Sequence, residues 1–95
     1  MIKQCDDVVA RYSRLKSLHV GILVFPGVEV LDFAGPFEVF SVASRVCKRD
    51  LGIEMPFKVS LIGARRAVIV GRHGMGIRPH YGFDDVPEVD LLIVP

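Results

Sequence analysis

Asp32 and Glu38 are the residues whose type and surroundings best suit proton transfer. They stand in the stretch PGVEVLDFAGPFEVF (26–40), on either side of a Gly35-Pro36 pair. A carboxyl held beside a reacting group can serve as a general acid or base. Each acid also has a structural use. Asp32 can accept the backbone N–H of Ala34 or Gly35 in an Asx-turn and so start a helix. Glu38, as the third residue of a helix opening at Pro36, suits the positive end of the helix dipole. On residue chemistry alone capping is the commoner use of such acids, and both readings stay open.

The other reactive residues combine less well. Cys5 and Cys47 are 42 residues apart, with no CxxC between them. Cys47 falls on the apolar side of a helical pattern, as a small core residue would, and Cys5 has no evident catalytic partner. His19, His73 and His80 share no metal-ligand spacing, so no metal is expected. Lone histidines of this kind are usually surface or hydrogen-bonded groups. Arg65-Arg66 reads as a solvated turn. The run GRHGMG (71–76) spaces its glycines G-x-x-G-x-G, which is not a dinucleotide fingerprint, and no cofactor is expected. It reads as a hairpin loop whose glycines supply positive φ. No Ser/His/Asp or Cys/His set is complete within the 95 residues.

The elements that must position Asp32 follow from hydrophobic spacing. Val8, Val9, Tyr12 and Leu15 recur at helical intervals behind Asp6 and Asp7, which predicts a short amphipathic helix over 5–16. HVGILVF (19–25) is a continuous apolar run stopped by Pro26-Gly27, as expected of a strand buried on both faces. A helix is expected from about 36 to 48, because proline suits the first helical position; Val39, Phe40, Ala43, Val46 and Cys47 form its apolar face. FKVSLI (57–62) reads as a second strand, which completes a parallel strand–helix–strand unit. Residues 67–70 and 77–81 are expected to form a hairpin at the sheet edge. DLLIV (90–94) reads as a last and deeply buried strand.

Ligands in open α/β sheets sit beyond the carboxyl ends of the strands. Asp32 follows the first such end. About five strands against two helices leave one face of the sheet short of cover. The sequence stops where a site loop would begin. Residues 1–95 are therefore expected to be the N-terminal part of a larger α/β domain, or to be covered by a partner chain or a swapped element.

Composition bounds the rest. An apolar fraction of 51% excludes a disordered tail, and 95 residues make at most one domain. A net charge of +1 gives no electrostatic reason to expect nucleic acid or an anionic membrane as partner. The acids Asp6 and Asp7 stand where a secretory signal would be apolar, and Val20 to Leu31 is too short and interrupted to span a bilayer. Two scattered cysteines fit a reducing compartment, so the cytoplasm is the expected location.

HVGILVFPGVEVLDFAGPFEVF (19–40), FKVSLIGA (57–64) and GMGIRPHYGFDDVPEVDLLIVP (74–95) together resemble the N-terminal half of the ThiJ/PfpI superfamily, relatives of class I glutamine amidotransferases. The likeness is to the branch of isonitrile hydratases and the amidotransferase-like domains of AraC-type regulators. Its phrase F-x-x-V-x-x-L-D-x-x-G-P-x-E-x-F is matched throughout by Phe25 to Phe40. The resemblance covers 19–95, and residues 1–17 have no counterpart. It implies a flavodoxin-like three-layer α/β/α sandwich with a mainly parallel sheet, here truncated after the strand that precedes a cysteine-bearing nucleophile elbow. It also implies that Asp32 approaches the sulfur of that cysteine, with Gly27, Phe33 and Gly35 on the substrate, and that the protein is a homodimer. The glycine pair and the elbow cysteine of the pattern are not in the sequence, and His80 stands where the pattern often has an acid.

Three functions follow as expectations. The first is the N-terminal segment of a cysteine hydro-lyase that hydrates an isonitrile to an N-substituted formamide and is inactive alone. The second is the ligand-sensing domain of an AraC-type regulator. The third is a non-catalytic interaction module in which Asp32 is only a cap. The first two take a small molecule.

Overall fold

The computed structural model describes residues 17–54 and 56–95. The helix expected over 5–16 lies outside them. Strand β1 (Leu18–Leu23) is followed by helix α1 (Val30–Leu51), β2 (Phe57–Ile62), β3 (Ile69–Val70), β4 (Gly76–Ile77) and β5 (Leu91–Ile93). β1 is the centre of a parallel three-stranded sheet of order β2-β1-β5. It pairs with β2 from Leu18↔Phe57 to Leu23↔Ile62, and with β5 from Val20↔Leu91 to Ile22↔Ile93. This is the parallel α/β architecture expected from 19–25 and 57–62, and, counting only the strands of this sheet, its order is the 2-1-3 start of a flavodoxin-like sheet.

Strand alternation divides β1 between two environments. Ile22 and Val24 pack with Val28, Phe33 and Ile77, joined by Val30, Ala34, Phe37, Val59 and Leu61, so that α1 covers this face. The next residues in the alternation, His19 and Gly21, look the other way. There His19 Nε2 lies 3.0 Å from Ser60 Oγ, and Nδ1 lies 2.9 Å from the Glu88 carbonyl. A carbonyl can only accept, so Nδ1 donates to it, and the serine hydroxyl, which can donate or accept, completes the pair at Nε2. His19 is thus the hydrogen-bonded core histidine that its isolation in the sequence suggests. Among the described residues this second face is covered by the segment before β5 and by Tyr81, whose ring meets His19 edge-on, rather than by a helix.

Helix α1 departs from expectation at its start. It begins at Val30, six residues before Pro36, and the proline lies inside it. The reason is packing: Val30, Phe33, Ala34 and Phe37 present one helical face to the core, and that burial begins before the proline. Pro36 offers no N–H to the Asp32 carbonyl one turn earlier, and the helix continues past the missing bond. At the other end Gly52 takes the left-handed conformation, φ 68°, and returns its N–H to the Cys47 carbonyl. Ser44, buried in mid-helix, ties α1 to β2 by donating to the Phe57 carbonyl at 2.8 Å and accepting the Phe57 N–H at 2.7 Å.

The hairpin also differs in extent. β3 and β4 are two residues each and pair antiparallel in a sheet of their own, not on the edge of the main one. In the turn between them Gly74 has φ 95°, but its left-handed neighbour is His73, φ 68°, not a second glycine. The last strand is a clearer correction. Leu91 and Leu92 are 43% and 55% exposed. β5 is an edge strand: Ile93 packs against the core cluster, but Leu91 and Leu92 are left largely uncovered among the described residues. Its uninterrupted hydrophobicity marks what it can bury, not what it buries here.

Candidate functional site

The chain leaves β1 toward β2 on one side and returns to β5 on the other. The carboxyl ends of β1 and β5 are therefore the topological switch point, where loops diverge and leave a crevice. The connection from β1 into α1 is built at this end. Phe25, Pro26, Gly27 and Val28 make a turn closed by the Val28 N–H on the Phe25 carbonyl at 3.0 Å. Proline second and a glycine of φ 84° third are the residues that a type II turn demands. The Gly27 N–H is used by the Val70 carbonyl at 2.9 Å, and no atom lies within 4 Å of where a Gly27 side chain would start.

The hairpin clamps this connection from outside. Beyond the Gly27 bond, the Arg72 N–H donates to the Val28 carbonyl at 3.0 Å, and the Arg72 guanidinium holds the Glu29 carboxylate at 2.7 Å. Glu29 is the N-cap residue of α1, yet its side chain caps nothing, because Arg72 has it. In the sequence GRHGMG reads only as a loop. The signal that reading misses is tertiary: the loop's arginine is spent on the turn that leads to Asp32.

Asp32 sits in the first turn of α1, exposed to solvent. Its N–H bonds the Glu29 carbonyl at 3.2 Å. Its carboxylate makes no hydrogen bond or ion pair among the described residues. The Asx-turn to Ala34 or Gly35 is thus corrected: those residues are already helical, and their N–H groups point back along α1. Glu38, expected in the first turn, lies in the third, exposed. The dipole argument passes from Glu38 to Asp32.

The remaining expected site residues take different surroundings. Phe33 is buried in the core cluster, so its ring anchors the first turn from below. Gly35 is half-buried on the same turn, with Leu31 Cδ1 4.0 Å from where a side chain would begin. Asp32 and Gly35 are thus neighbours on one helical turn, and Gly27 precedes them in the loop. Cys47 is half-buried far along α1. No group of three or more His, Cys, Asp or Glu side chains among the described residues is placed to hold a metal, and none of their helices is long and apolar enough to cross a membrane.

His80, the departure from the pattern, closes the outer edge of β2. Its Nδ1 accepts the Leu61 N–H at 2.8 Å, its own N–H donates to the Leu61 carbonyl at 2.9 Å, and its ring stacks on Phe37. A carboxylate at this position could accept the same N–H, which gives the exchange of acid for histidine a physical reason.

No family model matches the chain. Over 79 residues it is 28% identical to isonitrile hydratase of Pseudomonas putida, a match covering 83% of the chain and 30% of the hydratase. Its fold is similar to that of a candidate transcriptional regulator from Vibrio parahaemolyticus, with a TM-score of 0.63 and 17% identity, over 82% of the chain and 38% of the regulator. The chain therefore spans about a third of the length of either protein. The first likeness supports the ThiJ/PfpI resemblance from sequence, and the second supports the flavodoxin-like architecture from structure.

Proposed function

We propose that this chain is the acid-bearing N-terminal segment of a ThiJ/PfpI-type cysteine hydro-lyase that acts on isonitriles. The observation that carries the reading is Asp32: an exposed carboxylate with no hydrogen bond or ion pair among the described residues, in the first turn of the helix after β1, beside the switch point of the sheet. The likeness to an isonitrile hydratase supports the reaction class. The nucleophile would be a cysteine at an elbow after β5, beyond residue 95. Its thiolate adds to the isonitrile carbon, water replaces the sulfur, and an N-substituted formamide leaves; the net change is addition of one water. Asp32 would hydrogen-bond the sulfur and carry the protons of these two steps. Gly27 and Gly35 would flank the substrate through backbone, with Phe33 as support, and two copies would work as a homodimer in the cytoplasm.

The fold likeness to a candidate regulator favours a second reading, a ligand-sensing domain of an AraC-type regulator. One experiment separates them. The protein that carries this segment together with an elbow cysteine is assayed for formamide production from a simple alkyl isonitrile. Turnover that depends on both the cysteine and Asp32 supports the hydratase. Saturable binding without turnover, coupled to DNA affinity of an attached helix-turn-helix domain, supports the sensor.

A further inference from the structure

The carboxyl end of the sheet holds a second feature, on the β2 side of β1 and away from Asp32. A cavity of about 230 Å³ opens between the loop after β1, the turn after β2 and the start of the hairpin. Residues 23–26, with Phe25, form one wall, residues 64–65 and 67–69, with Arg65 and Val68, the other, and Phe83 completes the lining; Asp32 is not part of it. Phe25, Val68 and Phe83 are 39%, 57% and 59% exposed, so three large apolar side chains face water around one concavity. Such a cluster marks a binding surface more often than scattered hydrophobes do.

Its one charged group is distinctive. Arg65 and Arg66 are adjacent, but they are used differently. Arg66 is held by Asp85 and lies over the Tyr81 ring at 5.4 Å. Arg65 lines the cavity and has no ion pair among the described residues. An arginine among otherwise apolar lining residues suits a molecule with an apolar body and one planar anion, since the guanidinium fork matches a carboxylate. The size narrows this further. A dry cavity of about 150 Å³ takes a benzene ring, so about 230 Å³ takes one ring or a branched chain plus a carboxylate.

We propose that this cleft binds a small monocarboxylate with an aromatic or branched apolar body, the body against Phe25, Val68 and Phe83 and the carboxylate on Arg65. The site is independent of the hydratase reading, because it uses neither Asp32 nor a cysteine. The loop that forms one wall runs on into the turn before α1, so occupancy also bears on the connection that carries Asp32.

The test uses phenylacetate as the probe and phenylacetamide as its neutral counterpart, with the purified protein titrated by nuclear magnetic resonance and calorimetry. The expected result is saturable binding of phenylacetate at millimolar concentration or below. Shifts should centre on 23–26, 64–69 and Phe83, and phenylacetamide should bind at least fivefold more weakly. Arg65→Met should weaken phenylacetate about tenfold and abolish the preference over the amide, while Arg66→Met and Asp32→Asn leave both unchanged. Phe83→Ser should weaken both probes together. Equal affinity for the two probes, an unaltered Arg65→Met variant, or no saturation up to tens of millimolar would each overturn the proposal.

Discussion

A carboxylate in the first turn of a helix gains from the dipole whether or not it has a chemical role, and at Asp32 the two contributions can be separated. The dipole interaction of an exposed first-turn acid is about 0.3–1 kcal/mol. The side chain contacts no hydrogen-bond donor whose loss would add to that. Asp32→Asn should therefore lower stability by less than about 1 kcal/mol, read from urea unfolding. In a protein with the elbow cysteine it should lower isonitrile turnover by about 10²- to 10⁴-fold, the usual range for a positioned acid or base. Unchanged turnover would leave Asp32 as a helix-end charge. His19 makes the opposite forecast. It is 8% exposed, and its ring is the partner of a Ser60 side chain that is 2% exposed. His19→Leu keeps the volume but strands the serine hydroxyl, at a cost of about 1–3 kcal/mol. Adding Ser60→Ala should recover part of that loss, because the two changes share one interaction. Losses that simply add would show that the hydrogen bond contributes nothing.

At the scale of elements, the strands are legible in the sequence because β1 is a short apolar run and β2 alternates before turning apolar, both bounded by Pro, Gly and polar residues. The start of α1 is not. Gly35-Pro36 is a strong local signal for a helix start, and it is overruled by Val30, Phe33 and Ala34, whose spacing has meaning only once the face of β1 they cover is known. Position and phrase single out Asp32, but the same local signal hides its helical setting. The cavity is not legible at all, since Phe25, Arg65 and Phe83 meet only through the fold. The proline inside the helix gives a direct test. Pro36→Ala returns an N–H to the Asp32 carbonyl, and the helix should gain about 1–2 kcal/mol after allowing for the freer unfolded chain. Calorimetry should show a higher Tm; a lower one would mean that the proline ring itself is needed for packing on the sheet. Ser44→Ala works in the other direction. It leaves the Phe57 N–H and carbonyl without their partner and should cost about 1–3 kcal/mol.

On the whole molecule, the sheet is finished on one side only. β2's outer edge is met at its carboxyl end by His80 and Tyr81, which pair with the Leu61 N–H and C=O and with the Gly63 N–H. β5's outer edge pairs with no strand among the described residues, while Leu91, Leu92 and Val94 are exposed along it. An open, apolar edge strand is a template for another strand. In proteins two to three times as long as this chain, such as the two it matches, the length exists to cover it. In the 95-residue chain by itself, a second copy is the nearest source of a complementary edge, and this asymmetry is the physical basis for the proposed self-association. The purified chain should therefore sediment with a concentration-dependent mass and bind a hydrophobic dye. Leu92→Lys puts a charge on the exposed strand, where it costs the folded monomer little because Leu92 is already 55% exposed. It should shift the chain toward monomer and reduce dye binding, with the far-ultraviolet spectrum unchanged. Arg78→Lys, at a position that is also exposed but lies outside β5, is the control and should change neither reading. A wild-type chain that sediments as a compact monomer at every concentration and binds no dye would show that β5 is not a sticky edge, and that its exposed leucines are tolerated as they stand.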